Sequence, residues 1–383
     1  MRLNRKYQAA SRPTPLGQVV ETRSSAHRIE KTIVIPSYNE ETRISSAFPR
    51  LLDNIDLAKD EIILVDDGSA DGTLDLAREL LSPVTNCTFI QLAENRGKGA
   101  AVRVGVSHAQ GRLIAFVDAD MASDPSGLTR LFGRLESCEV ALGTRSHPES
   151  TINCRDPSRV LFGRVFNRLV RSITGLSVLD TQCGFKAFRA PAAQLLFHLS
   201  QIEGYAFDVE IIMLASKLSM RIGEVPVDWA DIKGSHVRPL LDAAPMLADV
   251  MRSVATWRNS KPIEALTIQS SVNGARMGPI DVVSAMRSSL RYGDPIVTWP
   301  KGALCLLPAL DHETATLIRQ RLESKLPQCQ ISQSLVTANM LLHPSSAPML
   351  KAIRAIPGPR DDDTCVVCDD VTAHDLLVSL GVA

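Results

Sequence analysis

The run Arg112-Leu-Ile-Ala-Phe-Val-Asp118-Ala-Asp120 constrains this chain more than any other stretch. Leu113 to Val117 is an uninterrupted apolar segment of strand length, and it stops at two carboxylates separated by one residue. A short apolar run bounded by polar residues fits a strand buried on both faces, the condition of a parallel sheet. In open sheets of that kind, ligands collect beyond the carboxyl ends of the strands. Two acids at that position offer hard oxygen donors for a divalent cation, which in turn can hold the phosphates of a nucleotide. An isolated D-x-D is more often a strand followed by an acidic turn, so the neighbouring segments decide.

They repeat the same grammar. Lys31-Thr-Ile-Val-Ile-Pro36 is a β-branched run closed by a proline that cannot donate to a ladder, leaving Tyr38, Asn39 and Glu40 on the loop that follows. Ile44 to Ile55 has helical spacing, which Pro49 is expected to limit or kink. Glu61-Ile-Ile-Leu-Val ends in Asp66-Asp67 and passes through a glycine-rich turn into a helix over Leu74–Leu81. Thr88-Phe-Ile-Gln-Leu is a further strand. Asn95-Arg-Gly97-Lys98-Gly99 then opens a helix through Ser107. Glycines there let backbone N–H groups approach a phosphate, and Lys98 adds a point charge. Regular alternation of strands and helices predicts an α/β fold, Rossmann-like, with a mostly parallel sheet and helices on both faces. The G-x-G-x-x-G signature is absent, which argues against a dinucleotide site.

Val140-Ala-Leu-Gly-Thr is another short strand, with Arg145 at its end. From Ser158 to Ile173 the spacing is helical. At ~100° per residue, Leu161, Phe162, Val165, Phe166, Leu169, Val170 and Ile173 fall within about half the circumference, opposite Arg164, Arg168 and Arg171. Two readings stay open: a helix facing the core, or a helix lying in an anionic membrane interface through Phe162, Phe166 and Leu169. Asp180-Thr-Gln182-Cys-Gly184-Phe185-Lys186-Ala-Phe-Arg189 reads as a dense polar-aromatic turn. Asp208 and Glu210 enter an apolar helix, where N-capping or pairing with local arginines stands beside a catalytic role. A late strand over Arg221–Trp229 precedes a basic loop carrying His236 and Arg238, and residues 239–258 return to helical spacing.

Length supports more than one domain: 383 residues divide into a flexible tail (1–28), an α/β domain (29–258) and a small α+β domain (265–383). In the last, Asp281–Leu290 and Glu313–Leu326 look helical, and Ala303–Leu307 and Ser332–Val336 look like strands. The 42 basic and 42 acidic residues balance, which argues against a chain-wide affinity for nucleic acid. Eight scattered cysteines show no disulfide-scaffold spacing, and Cys365-Val-Val-Cys368 stands without a second pair. No apolar h-region follows the N-terminal basic residues, and no apolar run approaches the ~18–20 residues of a spanning helix, so a cytoplasmic protein is expected.

Taken together, Ile-Pro36-Ser-Tyr38-Asn39-Glu40, Val-Asp66-Asp67-Gly-Ser, Asn95-Arg-Gly-Lys98-Gly, Asp118-Ala-Asp120, Ala122-Ser-Asp-Pro125 and Gly143-Thr-Arg145 resemble the family-2 glycosyltransferases, which have the GT-A fold. The phrase Asp180-Thr-Gln-Cys-Gly-Phe-Lys-Ala-Phe looks most like the dolichyl-phosphate β-glucosyltransferase branch; related mannose synthases usually read Ser-Gly-Phe-Arg there. The resemblance covers roughly residues 30–255. It implies that Pro36, Tyr38, Glu40 and Asp66 line the base and ribose, with Lys98 near the phosphates. Asp118 and Asp120 would hold Mg2+ or Mn2+ and, through it, the diphosphate. Arg145 and Gln182 would face the sugar-phosphate or acceptor phosphate, Asp180 would orient acceptor or sugar, and His236 and Arg238 would lie near the acceptor phosphate. The family often has Ser-Lys-Val where this chain has Ser235-His236-Val, and its usual membrane-spanning helices have no counterpart in the sequence.

The expected activity is inverting transfer of a hexose, glucose from UDP-glucose, to a polyprenyl or dolichyl phosphate, by a peripheral protein at the inner face of the plasma membrane. Three alternatives stay open: a GDP-mannose-dependent polyprenyl-phosphate mannosyltransferase, transfer to a soluble acceptor, and a non-catalytic nucleotide-sensing module. The last draws on a faint likeness of Arg291-Tyr-Gly-Asp294 and Ala303–Pro308 to the later half of GGDEF-type domains, without their catalytic signature.

Overall fold

Strand by strand, successive apolar side chains go to opposite faces, and this decides the layering. The computed structural model describes residues 17–24, 29–153, 157–232, 239–256, 262–270, 284–286, 288–290, 294–299, 301–308, 310–327, 329–341, 346–354, 365–368 and 370–379. The first part of the chain supplies strands β1 (Gln18–Arg23), β2 (Lys31–Ser37), β3 (Glu61–Asp66), β4 (Asn86–Gln91), β5 (Leu113–Val117), β6 (Val140–Thr144), β7 (Thr151–Asn153), β8 (Phe185–Arg189), β9 (Ile222–Pro226) and β10 (Asp228–Ala230). Its helices are α1 (Glu41–Leu52), α2 (Thr73–Leu80), α3 (Lys98–His108), α4 (Leu128–Arg134), α5 (Pro157–Thr174), α6 (Ala190–Leu199), α7 (Phe207–Lys217) and α8 (Pro239–Thr256).

Eight of the strands form one sheet in the order β1-β4-β3-β2-β5-β8-β6-β9. β4, β3, β2 and β5 are parallel, as are β6 and β9; β8 runs against both of its neighbours and β1 against β4. Val34, Ile63, Val65, Ile114 and Phe116 pack with α3, α6 and α7 on one face. Ile33, Ile35, Ile62, Leu64, Ala115 and Val117 alternate with them and pack with α1, α2 and α4 on the other. The expected α/β architecture, a mostly parallel sheet covered on both faces, is what forms.

A second sheet follows, from β11 (Ile263–Ser270), β12 (Ile296–Trp299), β13 (Gly302–Leu307), β14 (Cys329–Val336) and β15 (Cys365–Val367), in the order β14-β11-β13-β12-β15. It is antiparallel except for the β12–β15 pair. Leu266, Ile268, Cys305 and Leu307 meet Ala315 and Leu322 of the helix His312–Lys325. On the other face, Ala265, Val297, Trp299, Leu304 and Leu306 belong to the same contiguous core as Leu195 and Leu196 of α6. The α+β character expected here is therefore present, joined to the first sheet through shared packing.

Three local expectations change. Residues 18–23, read as part of a flexible tail, form the edge strand β1: Val20 packs inward and the Arg23 guanidinium lies 5.4 Å from the centre of the Phe89 ring. Helix α1 carries Pro49 inside it and stops at Leu52, short of the expected Ile55. Phe185–Arg189, read as a turn, is a fully buried central strand. Its two basic residues disguise the pattern. Lys186 is neutralised by Asp208, and Arg189 donates to the Leu135 carbonyl beside the buried Glu139. Among the described residues no helix is long and apolar enough to cross a membrane.

Candidate active site

Register brings the first loops to one level. Ser37 pairs with Asp66 across β2 and β3, and Val34 pairs with Phe116 across β2 and β5, so Tyr38, Asp66 and Asp118 leave the sheet at the same edge. The loops after β2 and β3 are then tied together. The Asn39 N–H donates to Ser69 Oγ at 2.9 Å, Asn39 Oδ1 accepts from the Ala70 N–H at 2.9 Å, and the Glu40 N–H donates to Thr73 Oγ1 at 2.8 Å. Asp66 is wholly buried and accepts from Ser69 and from Gln91 Nε2 at 3.3 Å. Tyr38 is exposed at the rim.

The glycine-rich turn before α3 behaves differently from the phosphate cradle expected of it. Asp67 accepts the Arg96 and Gly97 N–H groups, both at 2.8 Å, and the Ala100 N–H donates to the Glu203 carbonyl at 3.1 Å. Burial pushes Asp67 up to about 6 against these N–H donors. Gly97, at φ +110°, and Gly99 are required because a Cβ on either would stand within 2.6 Å of the Ile202–Glu203 backbone. These glycines serve the close approach of that loop to α3. Arg96 adds an ion pair with Glu203.

Lys98, at the start of α3, reaches the acidic pair. Its ammonium lies 2.6 Å from Asp118 Oδ1 and 3.8 Å from Asp208 Oδ2. Burial works to lower its pKa, but the Asp118 and Asp208 carboxylates prevail and hold it above the ordinary lysine value. Asp208 in turn accepts from the fully buried Lys186 at 2.5 Å. Asp120 accepts from the Ala122 N–H at 3.1 Å and from Arg43 at 3.4 Å, and Arg43 also holds Glu40 at 2.6 Å. Burial and the neighbouring Asp118 raise the pKa of Asp120. Burial, outweighing Arg43 and reinforced by Asp120 and Asp118, pushes Glu40 up to about 8. Burial is the larger cause in both, and repulsion among Asp118, Asp120 and Glu40 adds to it.

Gly184 closes this side. A Cβ there would stand 2.1 Å from Asp118 Oδ2, so glycine lets β8 start against the acid without turning its carboxylate aside. Opposite, at the end of β6, Arg145 makes a two-pronged pair with Asp180, Nε to Oδ2 at 2.7 Å and Nη2 to Oδ1 at 3.0 Å. Burial would raise the Asp180 carboxyl, but Arg145 and the Gln182 N–H, at 3.0 Å, hold it down at about 2. The guanidinium also lies 5.8 Å from the centre of the Trp229 ring. Asn167 of α5 fixes this loop from behind, accepting from Thr181 Oγ1 at 2.9 Å and donating to the Leu179 carbonyl at 2.5 Å.

Of the residues expected from sequence, Tyr38, Glu40, Asp66, Lys98, Asp118, Asp120, Arg145, Asp180 and Gln182 thus gather along the edge that Pro36 of β2 begins. His236 and Arg238 lie outside the described residues, as does the side chain of Phe162. Phe166 contradicts the membrane face proposed for it: it is 8% exposed and sits in the core, because α5 turns Phe166 and Val170 inward. Leu169 is exposed, in line with Val165 and Ile173. Sequence reasoning missed Arg43, Asp67, Asn167 and Lys186. Asp67 carried a signal, as the second acid of Val-Asp66-Asp67, and so did Lys186, as the basic residue of the Gly-Phe-Lys phrase.

Comparison with known proteins adds to this geometry. The family model described as "Glycosyl transferase family 2" matches residues 32–197. The dolichyl-phosphate beta-glucosyltransferase of Dictyostelium discoideum is 33% identical over 250 residues, covering 61% of this chain and 76% of that protein. The chain belongs to the family-2 glycosyltransferases. The protein of the same name from Saccharomyces cerevisiae is 34% identical to this glycosyltransferase over 245 residues, covering 57% of the chain and 72% of its own length. Among solved structures, glucosyl-3-phosphoglycerate synthase from Mycobacterium tuberculosis in complex with Mn2+, UDP and glucosyl-3-phosphoglycerate has a TM-score of 0.43 at 20% identity, covering 62% of this chain and 88% of that one. The matched region of the glycosyltransferase contains the acidic cluster, Lys98, Arg145 and the Asp180 loop.

Proposed function

We propose that this glycosyltransferase moves glucose from UDP-glucose to a polyprenyl phosphate, dolichyl phosphate or its like, with inversion at the anomeric carbon. The observation that carries the reading is the gathering, along one edge of the sheet, of the Asp118–Asp120–Lys98 cluster and an Arg145 fixed by Asp180. The names of the relatives support the donor sugar and the acceptor. Tyr38, Glu40 and Asp66 surround the nucleoside end, and Gln182 and Arg145 the sugar and acceptor end.

The donor set fits a divalent cation. Asp118 and Asp120 offer hard carboxylate oxygens, and Asp118 already holds a cationic group, the Lys98 ammonium at 2.6 Å. Mg2+ or Mn2+ held there would neutralise the leaving diphosphate. The rest falls to the protein. A phosphate acceptor is already an anion, so no strong general base is needed. The remaining difficulty is to seat two anionic groups side by side. Lys98 offers its charge from the donor side and Arg145 from the acceptor side, the latter kept rigid by its two bonds to Asp180.

The lipid acceptor is to be reached from a membrane surface at its cytoplasmic face. Val165, Leu169 and Ile173 form an exposed stripe along α5, whose sequence from Pro157 to Thr174 contains four arginines and no acid. Apolar contact backed by arginine suits an anionic lipid interface. The activity is tested by offering UDP- and GDP-sugars with a short polyprenyl phosphate and Mg2+, then reading the lipid product by mass spectrometry. Hexosyl-phosphoprenol from UDP-glucose, lost in Asp118→Asn and Asp120→Asn, is the expected result. Product from GDP-mannose alone would transfer the assignment to a mannosyltransferase.

A further inference from the structure

Four charged side chains of alternating sign stand in series: Lys186, Asp208, Lys98 and Asp118. Lys186 is immobilised, with no exposed side-chain surface and bonds to the Cys183 carbonyl at 2.6 Å and Asp208 Oδ1 at 2.5 Å. That fixes Asp208 through one oxygen and leaves Oδ2 to Lys98, 3.8 Å away. Lys98 is closer to Asp118 Oδ1, at 2.6 Å. Its ammonium also lies 5.8 Å and 5.7 Å from the ring centres of Phe116 and Phe207, whose faces attract a cation along the way between the two acids.

We propose that Lys98 is a displaceable internal cation and that Asp208 is the positioning residue that receives it when Asp118 turns to a divalent metal ion. The inference rests on the reading of Asp118 and Asp120 as the cation site. One carboxylate oxygen cannot serve an ammonium and a dication equally, and two cations sharing it repel. A bare metal ion must therefore evict Lys98. A metal ion arriving with a nucleoside diphosphate brings negative oxygens that face Lys98 as well, and the eviction is offset. The site consequently takes metal and nucleotide as a pair and discriminates against metal alone.

The test is a titration of the full chain with Mn2+, followed by electron paramagnetic resonance of the free ion, with and without UDP, and with thermal melts to verify folding. Lys98→Met, which fits the slot between the rings, is expected to bind Mn2+ alone about tenfold or more tighter than wild type. It should also lose most of the enhancement that UDP confers. Asp208→Asn is expected to weaken bare Mn2+ binding, and Lys98→Met/Asp208→Asn to match Lys98→Met, because Asp208 acts only through the lysine. Should Asp208→Asn fail to fold for want of a partner to Lys186, Lys98→Met decides alone. Unchanged or weaker Mn2+ affinity in folded Lys98→Met overturns the handover, even while wild type binds Mn2+ with UDP. Absence of Mn2+ uptake by wild type in the presence of UDP would instead remove the cation site, and the handover with it.

Discussion

At the scale of single residues, the site depends on contacts with no slack. Gly184→Ala places a methyl group within 2.1 Å of the Asp118 carboxylate, so the acid must turn aside. The expected outcome is a fall of about a hundredfold in kcat/KM, roughly 3 kcal/mol of lost transition-state stabilisation, with an almost unchanged melting temperature. Kinetics alongside calorimetry checks it. Arg145→Met removes the charge that holds Asp180 at about 2, below its ordinary 3.8. A depressed carboxyl contributes stability that is fully present above its unfolded pKa and is lost as pH falls through the folded one. The variant should therefore be less stable than wild type by roughly 1–2 kcal/mol at neutral pH, with the gap closing between pH 3.8 and about 2. Urea melts across that range measure it. Asp118 and Asp120 were readable in the sequence because a strand ending announces itself locally. Asp208 and Lys186 each stood out in the sequence, but their pairing did not, since the partners lie 22 positions apart.

At the scale of elements, α5 shows how far periodicity reaches. The spacing correctly located a helix with one apolar side, yet that side is too wide for a single neighbour. Phe166 and Val170 turn to the core, while Val165, Leu169 and Ile173 stay outside. Replacing the outer three by Ser should abolish flotation with anionic vesicles and leave the melting temperature and UDP binding intact. Phe166→Ala should instead cost about 3–5 kcal/mol of stability. Vesicle binding that survives the triple replacement would exclude α5 as the lipid contact. β8 shows the opposite failure. Its residues Phe-Lys-Ala-Phe-Arg look half polar, and only the burial of both charges against specific partners makes them a central strand.

At the scale of the molecule, the second sheet is continuous with the first through a shared core. Trp299 and Leu304 belong to the same packed cluster as Leu195 and Phe197. A chain ended after Thr256 would uncover that surface of α6, and is expected to aggregate or to melt at a lower temperature than the full chain. A truncated form that is monomeric and equally stable would refute the shared core. Sequence alone showed the change of character near residue 260 but could not show this union, because burial between distant segments leaves no periodic trace.

The reversed direction of β8 has a consequence for how specificity can change. Because that strand departs from the rim where its neighbours arrive, the segment from Arg145 to Gly184 confronts the earlier loops face to face. Everything assigned to the nucleotide comes from one side of this seam, and everything assigned to the recipient from the other. Exchanging the later segment between relatives should redirect which molecule is glycosylated, and which sugar is set against it, while the preferred nucleotide stays the same.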